Sequence, residues 1–116
     1  MKRPRFFRGQ ARLGHKERQV LKRLDTPGKI QDFLNSLPFN FEKKGETHYS
    51  VEEALRHRTA NCFEGALVAA AALLLQGRRP FVLDLKTVQP DFDHVVALFR
   101  EGNPPAGGWG AISKTN

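Results

Sequence analysis

Apolar positions fall into a small number of blocks along the chain, each with its own period. Ile30, Phe33, Leu34 and Leu37 recur at helical spacing behind Thr26-Pro27. A threonine cap followed by proline at the first helical position is a strong start signal, and Pro38 supplies the stop. Phe39 and Phe41 then alternate with polar neighbours before Lys43-Lys44-Gly45, predicting a short extended segment and a turn. Ser50-Val51-Glu52-Glu53 has the spacing of a capping box and predicts a helix from Val51 to about His57. Asn61-Cys62-Phe63-Glu64 repeats the device and opens a second helix, running to about Gln76 and ended by Gly77. That helix is apolar on every side through Ala66–Leu75, which predicts burial all round, and Gly65, Ala66, Ala69 and Ala70 give it a thin flank.

Beyond Gly77 the pattern changes from helix to strand. Phe81–Lys86, His94–Arg100 and Trp109–Ser113 are rich in β-forming residues, with a Gly and Pro turn region at 102–108 before the last. Helices first and strands second predict an α+β domain: N-terminal helices and a buried central helix carrying Cys62, packed on a small antiparallel sheet. Trp109 and Phe63 are expected to fill the core.

Composition adds one correction to this outline. The chain has 116 residues, enough for a single core, and a formal net charge of +7. Residues 1–23 hold nine Lys/Arg against the single acid Glu17, whereas the remainder carries ten bases and eleven acids. The basic character therefore belongs to one end. Segment 1–24, interrupted by Pro4, Gly9 and Gly14 and with a short helical turn at Gln19–Leu24, reads as a basic arm, and 25–116 as the folded domain. Such an arm suits contact with nucleic acid or an acidic protein partner, or simply keeps the chain soluble or rests on its own domain. The longest apolar run is about half the length of a membrane-spanning helix, so no membrane anchor is expected. One cysteine allows no internal disulfide, which together with the lack of an apolar leader segment predicts a reducing, cytoplasmic setting. The four histidines show no metal-ligand spacing, and neither metal nor other cofactor is expected.

The candidate chemistry centres on Cys62. A cysteine in the first turn of a helix sits in the positive end of the helix dipole, which favours the thiolate. Helix 62–76 carries the chain about 21 Å away at ~1.5 Å per residue. Strand 81–87 returns it about 20 to 23 Å at ~3.3 Å per residue, so His94 is expected back at the same end. The strand from Trp109 returns there again, offering Ser113 or Asn116 as a third residue to accept from the imidazole. A Cys62 thiolate beside a His94 base, with the Cys62 backbone N–H for the oxyanion, is suited to acyl transfer. Arg78-Arg79 could serve an anion or stabilise the preceding helix terminus.

Over Tyr49–Asn116 the chain resembles the transglutaminase-like family of the papain-like cysteine enzyme superfamily. The resemblance rests on an ordered series: Ser50-Val51-Glu52-Glu53-Ala54-Leu55, Asn61-Cys62-Phe63-Glu64-Gly65-Ala66, Gly77–Leu83, Asp93-His94-Val95-Val96-Ala97-Leu98-Phe99 and Gly108-Trp109-Gly110-Ala111-Ile112-Ser113. It implies Cys62 as nucleophile, His94 as base, a peptide or amide substrate, and thiol-dependent acyl transfer or amide hydrolysis. The family commonly has an aspartate four residues after the tryptophan, where this chain has Ser113, and Asn116 is the alternative orienting group. The family domain also continues with further strand, so the resemblance implies a domain incomplete at Asn116. A non-catalytic module of the same fold, binding nucleic acid or an acidic protein through its basic arm, is the competing expectation.

Overall fold

A computed structural model describes residues 13–40, 49–85, 94–102 and 107–115. Among them are four helices followed by three strands: α1 (His15–Arg23), α2 (Pro27–Ser36), α3 (Val51–His57), α4 (Cys62–Leu75), β1 (Phe81–Leu85), β2 (His94–Glu101) and β3 (Gly108–Ser113). The fold is α+β, with an antiparallel sheet in the order β1-β2-β3.

The local stop and start signals operate as the sequence suggests. The Thr26 hydroxyl accepts from Lys29 N–H, and both the Ser50–Glu53 and Asn61–Glu64 boxes are closed in both directions. At the far end of α4, Gly77 adopts φ +82°. Its N–H donates to Leu74 O, while Arg78 N–H donates to Leu73 O, the paired bonds of a Schellman stop. Only a residue without Cβ takes that backbone conformation cheaply. Arg78 then ties this corner down by donating to the Gln76 side chain and pairing with Glu101 at 3.5 Å.

Helix α4 lies between the sheet and the other helices, resting chiefly on β2. Ala66, Val68, Ala69, Ala70, Ala71, Ala72 and Leu73 are completely buried, as expected of a helix apolar all round. Ile30 and Leu34 of α2, Val51 and Ala54 of α3, and Ala97, Phe99 and Ile112 of the sheet complete the core. The folded part also begins earlier than the expected boundary near residue 24. Residues 15–23 form helix α1, and Leu13, Leu21 and Leu24 enter the same core. Widely spaced leucines among charged neighbours carry the burial there, a weak signal for a helix in sequence. Phe39 makes a single bridge with Ala60, while Phe41 and the turn after it lie outside the described residues.

The two faces of the sheet differ in cover. Val95, Ala97 and Phe99 alternate towards α4, opposite Gly110 and Ile112 of β3. A Cβ on Gly110 would run into the Phe99 ring, so the glycine makes room for the aromatic. The outer face carries Phe81, Leu83, Leu85 and Trp109, all exposed. Trp109, at 59% exposure, packs edge-on against Phe81 and under the Arg100 guanidinium. Phe63 is likewise 43% exposed. Neither aromatic belongs to the core as expected: Trp109 falls on the outward parity of β3, and Phe63 on the open side of the first turn of α4.

Candidate active site at the amino end of the buried helix

The first turn of α4 is clamped by a buried carboxylate. Glu64, 1% exposed, accepts from Asn61 N–H (2.9 Å) and the Asn40 amide (3.0 Å) through Oε1, and from Tyr49 N–H (2.7 Å) through Oε2. Asn61 Oδ1 accepts from Glu64 N–H at 2.8 Å in return. Two other stretches of chain, at Asn40 and Tyr49, are thereby tied to this helix terminus, and hydrogen bonds to an ionised acceptor are the stronger kind. The side chain of Tyr49 in turn stacks on His57, the last residue of α3, with ring centroids 4.8 Å apart.

Cys62 is the first residue of α4 and is partly exposed. The backbone N–H groups of Cys62 and Phe63 have no hydrogen-bond partner among the described residues, the usual condition of donors in a first helical turn. They are available to the oxygen of a carbonyl group placed against the sulfur.

A second buried polar side chain, Lys114, packs behind this terminus. A Cβ on Gly65 would collide with the Lys114 Cβ, and the Lys114 ammonium donates to Leu37 O at 2.7 Å. Burial pushes the Lys114 ammonium below the ordinary lysine range. The contact fixes the register between α4 and the sheet: Gly65 lies beside Lys114, one turn inward from Cys62. Cys62 therefore sits at the end of the sheet where β3 finishes and β2 begins with His94.

Strand parity separates the side chains nonetheless. His94 pairs with Leu85, and alternation from the inward-facing Val95 and Ala97 turns His94 to the outer face. Ser113 pairs with Val96 and shares that outer face, making it a diagonal neighbour of His94. His94 and Ser113 are thus brought together, whereas Cys62 belongs to the helix packed against the opposite face. No hydrogen bond joins Cys62 to His94 among the described residues. Asn116 lies outside the described residues.

Ser113 is held through its backbone by a residue the sequence patterns do not single out. Gln31 of α2 accepts from Ser113 N–H at 3.1 Å and donates to Ser113 O at 2.8 Å, so its amide acts as a substitute strand neighbour on the β3 edge. Asn40, Gln31 and Lys114 all act over long sequence separations. Only Lys114 had a local signal, the period-two continuation of Gly110 and Ile112.

Among the described residues no group of His, Cys, Asp and Glu could hold a metal ion, and no helix is long and apolar enough to cross a membrane. Compared with known proteins, the chain matches no family model and no curated protein.

Proposed function

We infer that the chain is a transglutaminase-like domain with a papain-like core, performing thiol-dependent acyl transfer or amide hydrolysis in a reducing, cytoplasmic setting. The observation that carries this reading is the common end of the structure shared by Cys62, on a clamped helix terminus, and His94, at the start of β2. The ordered motif series from Ser50 to Ser113 supports it. In the reaction, the Cys62 thiolate attacks the carbonyl carbon of an amide, and the first-turn N–H groups receive the oxyanion. His94, protonated, gives its proton to the departing amine as the C–N bond breaks and a thioester remains. Water or a second amine then attacks the thioester, losing its proton to the imidazole and releasing the thiolate. This sequence requires the imidazole to swing around the first residue of β2. Ser113, on the outer face, can hold the imidazole only before that swing.

The outward parity of His94 favours a second reading, a non-catalytic module of the same fold in which Cys62 is an ordinary thiol. An acyl donor separates the two. With p-nitrophenyl acetate, the enzyme reading expects a burst of nitrophenol, an acetyl group on Cys62 detected by intact mass, and its transfer to an added amine. Cys62→Ser should abolish all three. A folded protein that stays unacetylated at Cys62 would exclude the enzyme reading.

A further inference from the structure

A cleft of about 590 Å³ opens between α1 and the carboxyl end of α3, far along α3 from the helix start that positions Ser50. Its walls carry four cationic side chains, Lys16 and Arg23 from α1 and Arg56 and Arg58 from the α3 terminus, over an apolar floor of Val20 and Leu55. Lys16, Arg23 and Arg58 have no ion-pair partner among the described residues, and Arg56 reaches Glu52 only at 3.7 Å with both groups partly in water. The acid on the wall, Glu17, folds back to the start of its own helix beside Gly14, where it complements the helix dipole. Four cations against Glu17 and the Arg56 partner Glu52 leave the cleft net positive.

Arg56 in the last turn of α3 and Arg58 at its cap would serve that helix without any ligand. Arg58 asks for more than this. It occupies the left-handed conformation, φ 56° and ψ 46°, at a helix stop where glycine is the inexpensive residue. A side chain held there at a conformational cost, and turned into a cleft already positive, points to work at the cleft. Guanidinium groups offer planar paired donors that match phosphate oxygens, and a volume of this size suits one small ligand or a short stretch of a chain.

We propose that the α1–α3 cleft is a phosphate-binding site, its ligand carrying two or more phosphate groups that Lys16, Arg23, Arg56 and Arg58 neutralise. The site is independent of Cys62 and stands whether or not the acyl-transfer reading holds. Phosphates of this kind come from a nucleic-acid backbone or from a small polyphosphate, and the choice is experimental.

The test is fluorescence anisotropy of the full chain with a labelled single-stranded 12-mer, competed by tripolyphosphate and, separately, by poly-glutamate. Three variants are compared with the parent chain: Arg58→Gly, the double variant Lys16→Gln/Arg23→Gln, and an arm variant with Lys2, Arg3, Arg5, Arg8 and Arg12 changed to Gln. Arg58→Gly relieves the left-handed strain, so loss of fold cannot explain its effect. It should weaken phosphate binding about 5- to 10-fold. Each lost contact should also lower the salt dependence of binding by about 0.7 in log–log slope for a single strand. Tripolyphosphate displacing the 12-mer at equal phosphate concentration would identify a small polyphosphate as sufficient, and a large excess requirement would identify the polymer. The proposal is overturned if neither probe binds, if only the arm variant loses binding, or if poly-glutamate competes as well as phosphate.

Discussion

Replacing Glu64 tests the most tightly specified contact near Cys62. Its carboxylate receives three hydrogen bonds at 2.7 to 3.0 Å and is almost wholly buried. Each bond to an ionised group contributes about 1.5 to 3 kcal/mol net. Glu64→Gln keeps an oxygen for Asn61 and Asn40 but turns an amide donor towards Tyr49 N–H, so it loses one bond and opposes two donors. A loss of about 2 to 3 kcal/mol is expected. Glu64→Ala removes the acceptor of all three bonds, and a plain sum would reach about 4.5 to 9 kcal/mol. The donors of Asn40 and Tyr49 are only partly buried and regain water, which places the expected loss at the low end, at about 4.5 kcal/mol. Urea denaturation followed by circular dichroism reads both values, provided the slope with urea stays that of the parent chain. Amide exchange in the first turn of α4 should accelerate in Glu64→Gln while exchange near Leu73 follows only the global change. A loss below about 0.5 kcal/mol in both variants, with unchanged exchange at the Asn61 and Glu64 amides, would refute the clamp.

Three further outcomes follow from packing and charge. Gly110→Ala should cost about 1 to 3 kcal/mol, read by thermal unfolding, because the new methyl displaces the Phe99 ring; Gly110→Ala/Phe99→Leu should recover part of the loss. Lys114, whose folded-state affinity for its proton is lowered by burial, binds fewer protons folded than unfolded. Stability should therefore rise with pH between its lowered folded value and the ordinary lysine range, and Lys114→Met should flatten that rise without altering the profile below it. Trp109, the single tryptophan, should emit at long wavelength and be quenched freely by acrylamide. A blue-shifted, quencher-resistant emission would mean that the outer sheet face is covered in solution.

What the sequence reveals follows the range of the interactions. Helix starts at Thr26, Ser50 and Asn61 and the stop at Gly77 are set by partners within five residues, and all were legible. Strands were legible from composition, and their return to the amino end of α4 from chain geometry. Facing was not. Phe81-Val82-Leu83 and Leu98-Phe99 are apolar at both parities, so period-two reasoning gives no preferred side and Trp109 and His94 could not be oriented. Gln31, Asn40 and Lys114 were invisible as partners because their contacts span from 24 to 82 residues. Helix α1 was obscured by its charge: seen as a basic run it resembles an arm, and only the burial of Leu21 and Leu24 draws it into the domain.

The apolar outer face and the separation of His94 from Cys62 have one physical origin, the parity of β2. Turning β2 over would bury His94 beside α4 and expose Ala97 and Phe99, at the expense of the core formed with Ile112. Any approach of the imidazole to Cys62 is therefore confined to the end of the strand, where His94 is its first residue.

The reactivity of Cys62 towards iodoacetamide between pH 5 and 9, in the parent chain and in His94→Ala, tests the central claim most directly. Thiol-dependent acyl transfer predicts alkylation that stays fast below about pH 7 in the parent chain and falls to the rate of a small-molecule thiol in the variant, with the circular dichroism spectrum unchanged. Slow alkylation that rises only near pH 8 to 9, the same in both proteins, would show an ordinary thiol and contradict the account.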